Sequence, residues 1–358
     1  MAANFWTSTQ RAHWQLTREK IADMRRGLDE EDTNKGLGLA FPLPDHKQLQ
    51  LYFHHYSENS TGLQRLARRL QLRQQPQATA ETYLKRFYLK VSIRDTNPYL
   101  MLSTCVYLAC KMEECPQHIR SVVNEARTLF QEFIPQDIAK LAECEFHLIS
   151  ELNSYLIVHH PYRTLMEVQV PLKLSPDEIM AAWSFLNDSY ITDLILLYPP
   201  HTIAFTAIFL AVFVRPAIHT QANLNASGST ALGMGTAAGA GGSIVQPSVG
   251  QSAAVSAASG INPQNHSSAR LSQMSEWFAE SGVEMEAIIE CTQEMISLYD
   301  AWETWTDKVC RESVARLIRG PSALGPGYDK KLGTIYPVAP SPNSIDIWIM
   351  HKMLGSGG

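Results

Sequence analysis

Few side chains in this sequence are placed to do chemistry, and their spacing narrows what they can do. Lys111 follows the apolar run from Cys105 to Cys110, inside the stretch A-C-K-M-E-E. A cation there sits close to a helix C-terminus, where the backbone dipole favours positive charge. Glu145 stands four residues after Leu141 and three before Leu148, so its carboxylate falls within an apolar stripe at helical spacing. A charge in that setting is expensive unless it is paired or meets a partner. Glu143 projects about 200° away round the same helix. It cannot join Glu145 as a carboxylate pair for acid–base work, and pairing with Lys140 on a solvated face is the simpler expectation.

Histidine and cysteine add little. His54-His55 and His159-His160 are adjacent pairs, and neighbours on a helix point about 100° apart, so neither pair can grip one metal as an i, i+4 pair can. Cys105, Cys110, Cys115, Cys144, Cys291 and Cys310 contain no C-x-x-C, and several sit in apolar helical patterns. They are expected to be reduced thiols serving as small hydrophobes. There is no G-x-S-x-G, no P-loop and no G-x-G-x-x-G. The expectation is a non-enzymatic protein with no catalytic centre, no metal and no cofactor.

Bulk properties exclude further classes. The 30 Lys and Arg against 35 Asp and Glu give a net charge of −5, which offers no general attraction for phosphate backbones, so direct nucleic-acid binding is not expected. The most apolar stretch, Ile203 to Val214, is well short of the roughly 20 residues that span a bilayer, and reads as a buried core helix rather than a membrane segment. The opening M-A-A-N-F-W-T-S-T-Q lacks a charged region followed by an apolar run, and the chain is expected to stay inside the cell.

The elements that position these residues are helices throughout. Residues 1–44 read as a short helix followed by a linker from Arg25 to Pro44. From Asp45, a plausible N-cap, Leu49, Tyr52, Phe53 and Tyr56 recur at helical spacing, and Gly62 bends or divides that helix before Leu63, Leu66 and Leu70. Further helices are expected over Pro76–Ser92, Tyr99–Glu114, Ile119–Phe130 and from Pro135 to Leu152. The third of the five is apolar nearly all round and should be central. The rhythm then repeats over Pro161–Gln169, Ser175–Leu197, Pro200–Val214, Arg270–Ser281 and Val283–Ile318. Ser175-Pro176-Asp177-Glu178 is a strong start signal. The fold class is therefore all-α, with two tandem five-helix units at 45–157 and 158–319. Residues 216–269 carry no Asp, Glu, Lys or Arg and are rich in Ala, Gly and Ser, so a disordered insertion is expected there, and a flexible tail over 320–358.

At these residues the chain resembles the cyclin family, whose box is a five-helix unit with a buried central helix, usually present twice. The resemblance rests on Y-L-K-R-F-Y at Tyr83 to Tyr88, on the stretch from Leu100 to Glu114 that ends A-C-K-M-E-E, and on L-A-E-C-E-F-H-L-I at Leu141 to Ile149. It implies that Lys111 and Glu145 touch the regulatory helix of a kinase. Glu143 is the alternative if the register slips by two, and Glu114 lies at the end of the same contact stretch. Phe5 and Trp6 are candidate aromatic anchors on the kinase's flank.

Five phrases, A-N-F-W (Ala3 to Trp6), L-R-Q-Q (Leu72 to Gln75), L-I-V-H-H-P-Y-R (Leu156 to Arg163), N-D-S-Y-I-T-D-L (Asn187 to Leu194) and L-L-Y-P-P (Leu196 to Pro200), are similar to the cyclin C branch. That branch implies a nuclear protein partnered by the Mediator-associated cyclin-dependent kinase and the other subunits of its module, acting on RNA polymerase II transcription. Within the family the rival is a cyclin H type subunit of a kinase that activates other kinases, which shares L-I-V-H-H-P-Y-R. A basal initiation factor with two such boxes would bring a zinc ribbon and basic boxes, and both are missing from the sequence. The substrate-docking motif of cell-cycle cyclins is absent from Leu49 to Tyr56.

Overall fold

The computed structural model describes residues 4–37, 42–54, 62–130, 133–214 and 272–319 except 273 and 281. Among these residues every regular element is helical and there is no strand. The insertion at 216–269, the tail from 320 with Ile345, Trp348 and Ile349, and Tyr56 lie outside the described residues.

The N-terminal arm is more ordered than its sequence suggests. Asn4 caps a 3-10 turn at Phe5–Thr7, Ser8 caps α1 (Thr9–Trp14), and Thr17 caps α2 (Arg18–Asn34) by accepting from the Lys20 N–H at 3.2 Å. The expected linker from Arg25 to Pro44 is therefore helical as far as Asn34. Gly27 weakens such a helix by about 1 kcal/mol relative to alanine, but docking offsets that loss. Ile21 is buried, and Asp32 accepts from Ser92 Oγ at 2.6 Å and from the Arg94 guanidinium at 2.7 Å.

The first helical layer contains α3 (His46–His54), α4 (Leu63–Arg69), α5 (Gln74–Tyr88), α6 (Pro98–Met112), α7 (Ile119–Phe130) and α8 (Ala139–Glu151). Asn97 starts α6 by accepting from the N–H groups of Tyr99 and Leu100, and Pro98 supplies the preset first turn. Every residue of α6 except Tyr107, Lys111 and Met112 is buried, because its neighbours cover it on nearly all sides. Helix α8 opens at Ala139 rather than at Pro135.

The helices that follow are α9 (Tyr162–Val168), α10 (Pro176–Ser189), α11 (Leu194–Leu197), α12 (Pro200–Phe209) with a π-helical turn at Leu210–Val214, α13 (274–280), α14 (Met285–Thr304) and α15 (Asp307–Arg319). Ser175 and Glu178 close a reciprocal capping box at the start of α10. Two expected helices are each split. Ser175–Leu197 breaks after Ser189, where the chain turns through Tyr190 and Ile191 into the core. Val283–Ile318 breaks at Trp305, whose extended backbone turns α15 back so that Cys310 and Val314 join the core built around α6. The α3 residue Leu51 is buried against Ile191 and Leu298, with Trp302 beside them.

The polar residues of Y-L-K-R-F-Y stitch α5 to backbone carbonyls that lie beyond the end of the first layer. Tyr83 Oη donates to the Leu156 carbonyl, Lys85 Nζ to that of Ile191 at 2.9 Å, and Arg86 to that of Tyr155 at 3.3 Å. Arg86 is fully buried with its guanidinium 5.0 Å from the centre of the Trp14 ring, and burial pulls its pKa down to about 9.

Glu81, one turn earlier, is also fully buried; burial raises its carboxyl to about 8, against the smaller opposing effects of a bond from Gln77 and the charge of Lys85. A carboxyl whose folded pKa is raised binds a proton in the folded chain that the unfolded chain has lost. Stability from this group is fully present below about 4.5 and declines as pH rises toward 8. Glu81→Gln, which keeps the neutral shape, is expected to stabilise the chain by about 2 to 3 kcal/mol at pH 8 and by little at pH 5. Urea unfolding at the two pH values checks this.

Candidate partner interface

Lys111 comes from the one open end of an otherwise buried helix and Glu145 from the buried face of its neighbour, and the fold brings them together. Lys111 is in the last turn of α6, and Glu145 is on the α8 face that packs against α6. Lys111 Nζ donates to both carboxylate oxygens of Glu145, at 2.7 and 2.9 Å, and lies 4.4 Å from the centre of the Tyr107 ring. Burial lowers the Lys111 pKa, but the bonds to Glu145 and its charge outweigh that effect, so the ammonium is held charged. The pair answers the problem of a carboxylate in an apolar stripe, yet it is not sealed in: the Lys111 side chain is 41% exposed and that of Glu145 is 11% exposed. Phe146, next to Glu145, is 75% exposed.

The other expected residues are placed differently. Glu143 pairs with Lys140 at 2.8 Å, the simple alternative for it, and does not reach Lys111. Glu114 is exposed and has left-handed backbone (φ 54°) just past the end of α6. Phe5 packs edge-on against His159 at 5.7 Å and against Trp6 at 5.5 Å. Trp6 is 52% exposed, with the Arg11 guanidinium 5.0 Å from its ring centre and His201 5.4 Å away. Because glutamate is strained at φ 54°, Glu114→Gly is expected to raise stability by about 0.5 to 1 kcal/mol. A higher thermal midpoint checks this.

One residue that spacing did not single out ties the end of α6 to α5 and to His160. Glu113 accepts from Thr79 Oγ1 at 2.5 Å and Gln75 Nε2 at 2.7 Å, and lies 3.5 Å from His160 Nε2. Burial raises its pKa, but the bonds from His160, Thr79 and Gln75 outweigh that and hold the carboxyl below its ordinary value. His160 Nδ1 meets Tyr190 Oη at 2.6 Å, and the neighbouring His159 carries Phe5. Glu113, Thr79, His160 and Tyr190 thus form a connected polar seam. Its only trace in the sequence is the doubled acid after Lys111 and the doubled histidine at 159–160. Among the described residues no group of three or more His, Cys, Asp or Glu could hold a metal, and no helix is long and apolar enough to cross a membrane.

With this geometry in hand, comparison with known proteins is informative. Residues 48–157 match the model of the cyclin N-terminal domain. Proteins named RNA polymerase II holoenzyme cyclin-like subunit are similar over nearly their whole length. The one from Aspergillus terreus is 49% identical over 319 residues, covering 89% of this chain and 98% of that protein. The one from Neurospora crassa is 42% identical over 349 residues, with the same coverage. Among solved structures, a chain of the CAK complex of Chaetomium thermophilum bound to ATP-γ-S shares the fold. Its TM-score is 0.55 at 19% identity, over 98% of this chain and 94% of that one.

Proposed function

Because the chain belongs to the cyclin family, we propose that it is the cyclin C type subunit that holds the Mediator-associated cyclin-dependent kinase in its active shape, in the nucleus, for RNA polymerase II transcription. Cyclins are non-catalytic regulatory subunits, and phosphoryl transfer belongs to the kinase. The observation that carries the reading is the Lys111–Glu145 pair, assembled before any partner arrives and still open to solvent on one side. Kinase activity requires the glutamate of the kinase's αC helix to meet its ATP-orienting lysine. A subunit that binds the αC-in state more tightly enriches it, and a preassembled charge pair does so with little reorganisation.

The names of the relatives support work with RNA polymerase II. The A-N-F-W start and the L-I-V-H-H-P-Y-R phrase support the branch. In this reading the first box, residues 45–157, meets the kinase through Lys111 and Glu145. Glu114 flanks that contact, Glu143 serves only if the kinase approaches from its side, and Phe5 and Trp6 extend the contact along the arm. The second box, residues 158–319, is left for the other module subunits. The decisive experiment is native purification of the chain from cells with identification of the proteins that accompany it. A kinase together with three large Mediator subunits supports the reading. A kinase-activating kinase in its place moves the chain to the cyclin H branch, and absence of any kinase ends the proposal.

A further inference from the structure

The turn that ends α6 sets two thiols side by side. After Glu113 and the left-handed Glu114, the Cys115 N–H donates to the Cys110 carbonyl at 3.0 Å and the Glu114 N–H to the Lys111 carbonyl at 3.4 Å. This paired closure is a Schellman motif, whose geometry lays the side chain after the left-handed residue onto the one three places inside the helix end. Such a contact is commonly apolar. Here both members are cysteine, and the 3.0 Å bond from the Cys115 N–H to the Cys110 carbonyl holds their backbones together across the turn. They also differ in access: Cys110 is wholly buried, whereas Cys115 is only partly covered. Of the remaining cysteines, Cys105, Cys144, Cys291 and Cys310 are all buried.

We propose that Cys110 and Cys115 form a dithiol that hydrogen peroxide closes reversibly to a disulfide. The order of events is set by the surroundings. Burial pushes the Cys110 thiol up to about 12, so it supplies almost no thiolate for peroxide, and the accessible Cys115 reacts first. The Cys115 thiolate attacks one peroxide oxygen and the O–O bond breaks. Hydroxide leaves and takes up the proton the thiol gave, leaving a sulfenic acid and one water. The Cys110 sulfur, held on the same turn, then attacks the Cys115 sulfur. The S–S bond forms, the S–O bond breaks, and the hydroxyl departs as a second water with the Cys110 proton. Two thiols lose two electrons and one peroxide gains them; a dithiol reductant reverses the change by exchange. The ring encloses Lys111 and Glu113, so closure acts on the turn from which both project.

The test uses the full-length reduced chain, titrated with hydrogen peroxide, then alkylated and mapped by mass spectrometry. Trypsin cuts after Lys111, so the two cysteine peptides stay joined only if the disulfide exists. The expected first product is a chain lighter by two hydrogens, with Cys110 and Cys115 in one linked pair that a dithiol reductant releases. Cys110→Ala should leave Cys115 as a sulfenic acid trapped by a cyclic dione probe, and Cys115→Ser should give no link. The proposal is overturned if the unmodified sequence carries Cys115 to sulfinic acid without a link. It is equally overturned if another cysteine reacts first, or if both thiols survive peroxide that oxidises free glutathione.

Discussion

Lys111→Glu is expected to weaken kinase binding by about 2 to 5 kcal/mol, roughly 30- to 5000-fold in Kd, the range for removing or reversing a desolvated interfacial charge. The effect on the free chain should be far smaller. With the Lys111 side chain 41% exposed, the internal ion pair has the modest worth of a solvent-screened contact, on the order of 1 kcal/mol or less. A purified binding assay beside a thermal melt separates the two. The exchange Lys111→Glu with Glu145→Lys distinguishes them further, since it restores the internal pair while presenting reversed charges outward. Restored affinity would mean that the pair serves only to brace α6 against α8. Affinity still lost would mean that the charges meet groups on the partner. Unchanged affinity in the single variant would remove Lys111 from the interface.

Asp193→Ala should destabilise the chain by about 3 to 5 kcal/mol, the scale for leaving buried charge without its partner. Asp193 accepts from Arg25 of α2 at 2.8 Å and from Gln50 of α3 at 2.5 Å, and it is the largest opposite charge acting on the buried Lys85. Burial raises the Asp193 carboxyl, but Lys85, Arg25 and His46 outweigh that and hold it below its ordinary value. A depressed carboxylate contributes stability that is present above about pH 3.8 and is lost as pH falls through the lowered folded value. The alanine variant should therefore lose midpoint in urea at neutral pH and converge on the parent in acid. Asp193→Asn, which keeps one acceptor for Arg25 or Gln50, should fall between them. A loss below about 1 kcal/mol at neutral pH would show that solvent already compensates these charges.

How much of this was legible beforehand depended on range. The apolar surround of α6 and the Ser175 start signal are local patterns, and both appear in the structure as read. Helix α2 was hidden because charge and Gly27 make its sequence look like a linker. Contact with Asp193, Ser92 and Arg94, far along the chain, is what holds it. The bends after Ser189 and at Trp305 were hidden for a related reason. Periodicity continues through them, and only the need to bury Ile191, Cys310 and Val314 makes the chain turn. At the candidate interface, spacing singled out Lys111 at a helix end and Glu145 as a misplaced charge but could not show that they meet each other across 34 residues. Glu113 left only the doubled acid as a trace, because its partners come from α5 and from His160.

The arm that opens the chain also has a consequence for its synthesis. Arg25 finds its carboxylate 168 residues later, and the Leu16 N–H finds the Leu196 carbonyl later still, at 2.7 Å. At about 5 to 20 residues per second, the emerging segment waits roughly 10 to 30 s before its docking site leaves the ribosome. Through that interval Ile21, buried in the finished protein, lacks most of the second core into which it packs. The arm is thus made well before it can settle, and chaperones have that interval in which to hold it.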